Sequence, residues 1–499
     1  MHSLIKGFEC GMNCHNFWHP LMSNTEQNEH TKMKQCPWLA FSIDRSSRVP
    51  VFEQICTAIR ERSIAGELIE GTKLPPTRVF ATELGVSRST VVTAYEQLVA
   101  EGYLNSLRGS GYTVCALGEV ELSGQTPNIK SSPQDDCAKV SVPFEASQPD
   151  MRLFPHRQWA KSVARVCRTN PQAMLIGGGS FGNADLRQAI AEHVSEWRGI
   201  EASPHQIIVT AGSTDALEIC MRSLINKGEI IGLENPGYLP MRRFADAQDL
   251  VSVFLNLDEH GARLPDPPAT PRLVVLTPSH QYPLGGAMAP NRRLEFINWA
   301  ETQDAWIIED DYDSEFRYAG RPIPAMTGFD RLNRTIYVGS FSKIFSNSLR
   351  LGYVVVPETL LDQFRKTMKL LGQKASYMPQ QALAEFMASG EFYRHLRRVR
   401  RIYGERRKFL LGKLSQDFSA FGSFFDHQAG MQVVLHLTSA FSDIDICHRA
   451  FDKGVVVQPL SRFSIGNPRH NGLIIGFCAC SEEEMKPALA ILKTCFSKG

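Results

Sequence analysis

A chain of 499 residues with 43% hydrophobic and 21% charged side chains has the balance of a soluble globular protein and room for two or three domains. Its net charge of +2 excludes both a basic coat for nucleic acid and an acidic solubilising tail, so any nucleic-acid contact must come from a local motif. Twelve cysteines without a repeated spacing argue against a disulfide framework and for a reducing cytosol, and no apolar run is long enough for a signal or membrane helix.

Residues 1–45 read as a disordered extension. Cys10 and Cys14 with His15 and His19 have the residue types of a metal site, but the segment has no structural periodicity and no metal is expected.

The next stretch, 46–115, is patterned throughout. Val51, Phe52, Ile55, Ala58 and Ile59 fit one helical face, ending near Gly66. Leu74-Pro75-Pro76-Thr77 gives a turn and an N-cap, with Val79, Phe80 and Leu84 as the inner face of a short second helix. After the turn Gly85-Val86-Ser87, Ser87 caps a third helix that starts at Arg88-Ser89-Thr90 and carries Val91, Val92, Tyr95 and Leu98. Gly102-Tyr103-Leu104 and Tyr112-Thr113-Val114 then read as strands joined by a hairpin through Arg108-Gly109-Ser110-Gly111. Helix, turn, helix and hairpin make a winged helix. Leu74-Pro75, the run from Ser87 to Thr90, and Tyr95-Glu96-Gln97-Leu98 resemble elements of the GntR family of regulators, and that resemblance implies binding to double-stranded DNA. Arg78, Arg88 and Arg108 are best sited for phosphate or groove contact, with Ser87, Ser89, Thr90 and Gly109 beside them. Between residues 50 and 114 there are only six basic residues (Arg60, Arg62, Lys73, Arg78, Arg88 and Arg108), against seven glutamates, so each copy should bind weakly.

Residues 116–141, rich in Gly, Ser, Pro, Asp and Gln, read as a linker. Residues 142–499 form the largest part. Gly182 is followed by Asp185-Leu186-Arg187. Ile207-Ile208-Val209-Thr210 is a buried strand feeding Ala211-Gly212-Ser213-Thr214, a turn that opens a helix at about Asp215 and can cup a phosphate. Tyr238 follows the next strand as a stacking ring. A parallel strand at Leu273-Val274-Val275-Leu276 leads to His280-Gln281-Tyr282-Pro283. Trp306-Ile307-Ile308 delivers Glu309-Asp310-Asp311-Tyr312 at a strand end, where α/β sheets place ligands. Thr335-Ile336-Tyr337-Val338 leads into Gly339-Ser340-Phe341-Ser342-Lys343, and Arg350 follows as a fork for a phosphate. Helix 381–387 and the arginine-rich run 394–407 lead into a smaller lobe. The basic run could touch DNA, though a solvated helix face is the more usual explanation of such runs.

These are the parts of a pyridoxal phosphate (PLP) site: Lys343 as Schiff-base amine, Asp310 for the pyridinium nitrogen, Tyr312 for the ring hydroxyl, and Arg350 for the phosphate. From residue 142 onward the chain resembles a fold-type I aminotransferase. The match falls on Asp310, Tyr312, Lys343 and Arg350; Gly212, Ser213, Thr214, Tyr238, Ser340 and Ser342 complete the cofactor-binding set that the resemblance implies. It implies an α/β large domain, mostly parallel with helices on both faces, plus a smaller α+β C-terminal lobe.

Three positions depart from that family. Tyr282 stands where an asparagine is usual, with His280 and Gln281 as the nearest polar substitutes. Gly177-Gly178-Gly179 stands where a tyrosine reaching the neighbouring subunit's phosphate is common. Ile474 stands where an arginine holds the substrate carboxylate, with Arg462 and Arg469 as nearby candidates. Winged helix, linker and aminotransferase-like domain in that order resemble the MocR-type branch of GntR regulators. This implies a cytoplasmic, homodimeric regulator that senses PLP, an amine or an amino acid, with no membrane partner. A working aminotransferase with a DNA-binding extension, and a PLP-free dimerisation domain, are the other readings.

Overall fold

The structure, a computed structural model, describes residues 42–107, 111–116, 142–174, 178–331, 333–466 and 470–497. The Cys10, Cys14, His15 and His19 cluster, most of the linker, and Arg108, Gly109, Gly177 and Arg469 lie outside the described residues. The chain divides into two compact units, Met1–Gln134 and Asp135–Gly499.

The smaller unit contains α1 (Val51–Ile64), α2 (Thr77–Leu84), α3 (Arg88–Ala100), β1 (Leu104–Leu107) and β2 (Gly111–Val114). Apolar residues at helical spacing on α1 and α3 meet Phe80 and Ala81 of α2, and Leu104 and Val114 of the hairpin close the core. Gly85, in the left-handed region at φ 64°, ends α2, and the Ser87 side chain accepts the Thr90 N–H at 3.1 Å to start α3. Arg60 on α1 pairs with Glu53 at 2.9 Å and Glu101 at 2.7 Å, tying the first helix to the third.

Three local expectations shift. Val79 is 42% exposed, because turning Phe80 and Ala81 inward leaves the preceding position on the outer side of so short a helix. Thr77 is the first helical residue and Pro76 the cap. The first strand starts at Leu104: Gly102 and Tyr103 still donate to Val99 and Leu98 at 3.1 and 2.9 Å, finishing α3.

The larger unit runs in chain order through α4 (His156–Thr169), α5 (Ala184–Arg198), β3 (Ile207–Thr210), α6 (Ser213–Leu224), β4 (Ile230–Asn235), α7 (Leu239–Ala247), β5 (Val251–Asp258), β6 (Gly261–Ala262), β7 (Leu273–Leu276), α8 (Pro290–Thr302), β8 (Trp306–Asp311), α9 (Met326–Asp330), β9 (Thr335–Ser340) and β10 (Gly352–Val355). Then come α10 (Leu361–Leu371), α11 (Tyr377–Ala388), α12 (Glu391–Asp417), β11 (Gly422–Ser423), β12 (Gln432–Leu437), α13 (Asp443–Asp452), β13 (Gln458–Pro459), β14 (Gly472–Gly476) and α14 (Glu482–Thr494). The main sheet has the order β3-β10-β9-β8-β7-β4-β5-β6, with β4, β5, β7, β8 and β9 parallel and β10 antiparallel to both neighbours. A second sheet, β11-β12-β14-β13, is antiparallel and belongs to the C-terminal lobe.

Strand alternation divides the core. Ile208, Leu233, Ile308 and Val338 pack with α6 and α10, whereas Val209, Tyr337 and Tyr353 pack with α5, α11 and α12. Where β9 and β10 meet, a Cβ on Gly339 would lie 2.3 Å from the Tyr353 ring, so only glycine fits.

The same alternation splits the acidic end of β8. Glu309 accepts backbone N–H groups from Met326 and Thr327 at 3.0 and 2.9 Å, and Asp311 pairs with Arg198 at 2.8 Å. Arg198 is 2% exposed and lies 3.9 Å from Glu309 as well. Removing it takes the buried counter-charge from two carboxylates that keep only neutral donors, a loss worth about 3–5 kcal/mol. Arg198→Met should therefore lower the urea stability of the larger unit by that amount, and Asp311→Asn added to it should recover part; equal stability in wild type and Arg198→Met would show the network to be dispensable.

Candidate functional site

A cavity of about 380 Å³ opens at the C-terminal ends of the parallel strands, the position where α/β sheets bind ligands. Its walls come from six segments: the start of α6 (Ala211 to Thr214), Tyr238 before α7, Thr277 and Tyr282 after β7, Asp310 and Tyr312 at the end of β8, the loop from Ser340 to Arg350, and Ser147. Gly212, Ser213, Thr214, Tyr238, Asp310, Tyr312, Ser340, Ser342, Lys343 and Arg350 all line this one space.

Lys343 is carried on the turn after β9 and donates through Nζ to the Ser147 carbonyl at 2.8 Å. Burial lowers its pKa, with Asp313 and Glu145 acting in the other direction, so a larger share of the amine is neutral than on an exposed lysine. Asp310 is pushed up to about 7, first by burial and then by Asp311, Glu234 and Asp313. Its Oδ1 is buried without a hydrogen-bond partner. A carboxylate desolvated in this way is costly unless a donor arrives.

The aromatic wall is interlocked. Tyr238 meets Tyr282 edge-on at 5.7 Å, and Tyr282 meets Tyr312 and Phe463 at 5.5 Å each. Burial raises the Tyr238 pKa, and Thr214 beside it acts in the other direction. His280 Nδ1 lies 2.9 Å from the Tyr312 hydroxyl and 2.9 Å from Asp313, which fixes the phenol's direction.

The far end of the cavity suits an anion. Gly212, at φ 88°, caps α6 and leaves the Ser213 and Thr214 amides at the positive end of a twelve-residue helix. A Cβ on Gly212 would meet nothing, so the backbone angle alone requires glycine there. Arg350 holds a left-handed φ of 46° with an exposed side chain whose Nη2 reaches the Ala211 carbonyl at 3.5 Å. Arginine in that region costs backbone energy that the surrounding loop must sustain. An orphaned acid, a desolvated amine and a helix N-terminus with a guanidinium, in one cavity, fit the ring nitrogen, aldehyde and phosphate of PLP.

Other candidates fall elsewhere. Arg462 is exposed in a separate cleft with Arg242. Ile474 is fully buried among Val434, Leu460 and Phe463. His280 and Gln281 do not face the cavity: one serves Tyr312 and Asp313, and the other donates to the Pro236 carbonyl at 2.9 Å. The cavity takes Thr277 and Tyr282 instead. Ser147, Thr277 and Asn347 are additions that sequence reasoning did not find. Ser147 acts through its carbonyl, which no side-chain pattern encodes.

On the smaller unit, Arg78, Arg88 and Ser89 are exposed around the start of α3. Ser87 shares its hydroxyl with Ser89 at 2.8 Å and Thr90 at 2.7 Å, and Arg88 Nε lies 3.4 Å from Thr77 Oγ1.

Residues 145–492 match the family described as aminotransferase class I and II, and residues 52–114 match bacterial regulatory proteins of the gntR family. The chain is 36% identical to the probable rhizopine catabolism regulatory protein MocR of Rhizobium meliloti, over 91% of this chain and 95% of that protein. It is 33% identical to the HTH-type pyridoxine biosynthesis transcriptional regulator PdxR of Corynebacterium glutamicum, over 89% and 96%. Among solved structures, an archaeal alanine:glyoxylate aminotransferase superposes with a TM-score of 0.66 at 24% identity, covering 71% of this chain and 90% of that one. A multiple substrate aminotransferase from Thermococcus profundus gives 0.65 at 25% identity, over 72% and 91%.

The raised Asp310 pKa has a sign that can be tested. An acid whose folded pKa lies above its unfolded value adds nothing below pH 3.8, a growing penalty up to about 7, and the full penalty beyond. Asp310→Asn should raise the melting temperature of ligand-free protein at pH 8 and leave it nearly unchanged at pH 4. Equal shifts at both values would mean that Asp310 is not held protonated.

Proposed function

This chain belongs to the MocR-type branch of the GntR regulators, and from that premise we propose that it is a transcriptional regulator whose larger unit holds PLP on Lys343 and whose winged unit binds operator DNA. One observation carries the site assignment: the unpartnered Oδ1 of Asp310 and the desolvated amine of Lys343 line the same cavity. Bound there, PLP supplies an aldehyde open to primary amines and a ring that withdraws electrons.

The chain's own groups have separable tasks. Asp310 Oδ1 would accept the ring N–H and stabilise its positive charge. Gly212, Ser213 and Thr214, with Ser340, Ser342 and Arg350, would hold the phosphate. Tyr238 would supply a stacking ring, and Tyr312, oriented by His280, would serve the ring hydroxyl. Lys343 is held by the Ser147 carbonyl with part of its amine neutral and able to attack a carbonyl carbon.

The ligand that the regulator reads is an amine, an amino acid or PLP itself. A buried isoleucine at position 474 favours sensing over sustained transamination, since turnover needs the substrate fixed to within about 1 Å and a paired carboxylate is the usual means. On DNA, α3 enters the major groove with Arg88 and Ser89 at base edges, while Arg78 and Arg108 meet the backbone or minor groove. Binding is by a homodimer on two half-sites in the cytoplasm.

Two measurements test this. Protein loaded with PLP should absorb in the visible, and Lys343→Ala should abolish that band; an unchanged spectrum would place the covalent attachment elsewhere. Arg88→Ala should weaken operator binding by roughly 1–3 kcal/mol, and Arg78, Arg88 and Arg108 changed together to Ala should abolish the footprint. A footprint unaffected by the triple change would remove the winged unit as the reader.

A further inference from the structure

A second cleft, of about 710 Å³, lies along α12 and shares no residue with the cavity around Lys343. Arg397, Arg400, Arg401 and Lys408 recur at helical spacing with Gly404 between them, so they share one face over roughly 16 Å. Arg317, from the segment after β8, and Arg407 complete the lining cations. Arg400 donates to the Arg317 carbonyl at 2.6 Å, which joins the two walls.

The charges do not cancel. Glu405 and Asp426 are the only carboxylates among the lining residues, and Asp426 is already engaged by Arg407. Arg397, Arg401 and Lys408 are exposed and have no ion-pair partner among the described residues, and Arg317 Nε is buried without a hydrogen-bond acceptor. Arg400, over the Trp197 ring at 5.6 Å, and Arg407 have structural partners, but the six cations around one concavity repel one another, and the exposed Arg397, Arg401 and Lys408 have no ion-paired counter-charge among the described residues to offset that. Beneath them, Tyr318 is fixed by its hydroxyl donating to Gly430 at 2.8 Å, with the Arg407 guanidinium 5.5 Å from its ring centre. A Cβ on Gly404 would come within 3.3 Å of that ring, so glycine keeps the floor clear.

We propose that this cleft binds a small polyphosphate anion, inorganic or carried on a nucleoside. Its volume is that of a small-molecule site. Guanidinium forks from two walls converge on one space, which suits a compact ligand with several phosphates. A duplex is too wide to enter a cleft of this volume and would meet only the cations at its rim.

The test uses full-length protein in 0.15 M salt, titrated calorimetrically with sodium tripolyphosphate, with ATP, and with a duplex oligonucleotide of unrelated sequence. Saturable binding of tripolyphosphate is expected, weakened at least tenfold by Arg397→Glu, Arg401→Glu and Lys408→Glu together, with the visible absorption of the PLP-loaded protein unchanged. Because all three residues are exposed, folding should survive, and a matching melting temperature checks this. Tighter binding of ATP than of tripolyphosphate would assign the nucleoside form, and equal binding the inorganic one. No saturable binding of either would overturn the proposal, as would wild-type affinity in the triple variant. Loss confined to the duplex would identify a DNA-backbone surface instead.

Discussion

The structure turns on how three consecutive carboxylates are buried at the end of one strand. Glu309, Asp310 and Asp311 close β8 at the centre of the main sheet, and none retains enough water to solvate a charge. Strand alternation gives them different fates. On one face, Arg198 from the end of α5 and the backbone amides that begin α9 compensate Glu309 and Asp311. This fixes α5, α9 and β8 relative to one another. On the other face Asp310 has neighbouring negative charges and no donor for Oδ1. A fold that neutralises two of three acids so fully, and leaves the third short of a donor inside a cavity, is built to receive a cationic N–H there.

Much of this was legible from the order of residue types. Continuous apolar runs at 306–308 and 335–338 specify strands buried on both faces, and the residues just past a strand's last apolar position lie at the sheet's carboxyl edge. That reasoning brought Asp310, Tyr312, Lys343 and the Gly212 turn to one place, as the structure does. The features it missed depend on long-range partners. Ser147 contributes a carbonyl across 196 residues. His280 looked like a substitute at the cavity wall because polarity alone does not reveal that Asp313 and Tyr312 take up its ring nitrogen. Val79 was assigned to a core face because an eight-residue helix gives only two turns from which to set the phase.

The winged unit poses a different electrostatic problem. Of the six basic residues between 50 and 114, Arg60 and Arg62 are held by Glu53, Glu101 and Glu67, which leaves few charges in that stretch for a phosphate backbone. Nonspecific affinity grows with the number of phosphates neutralised, so such a module depends on several simultaneous contacts. The α3 N-terminus supplies the positional part: its hydroxyl-rich cap is satisfied internally, so Ser87 and Thr90 rigidify the helix start while Arg88 and Ser89 stay exposed. Rigidity there limits the entropy lost on docking.

Regulation requires that cavity occupancy reach the linker, and the chain provides a short path along its own backbone. Lys343 Nζ donates to Ser147, six residues beyond the linker's end at 141. The intervening segment is pinned closely: Phe144 is fully buried and its carbonyl accepts the Gly476 N–H at 2.9 Å, Pro143 accepts from Val456 at 3.1 Å, and the Ser147 hydroxyl donates to Gln432 at 3.0 Å. Phe144 and Ser147 both sit at positive φ, 69° and 59°, a conformation that these contacts must sustain. An occupant joined covalently to the lysine nitrogen would remove N–H donors, one of which now serves Ser147, so one of the restraints on this segment depends on the state of the cavity. Any resulting shift in the segment 142–147 is bounded by the difference in ligand affinity between its two arrangements. One hydrogen bond near a buried amine changes that difference by a few kcal/mol at most.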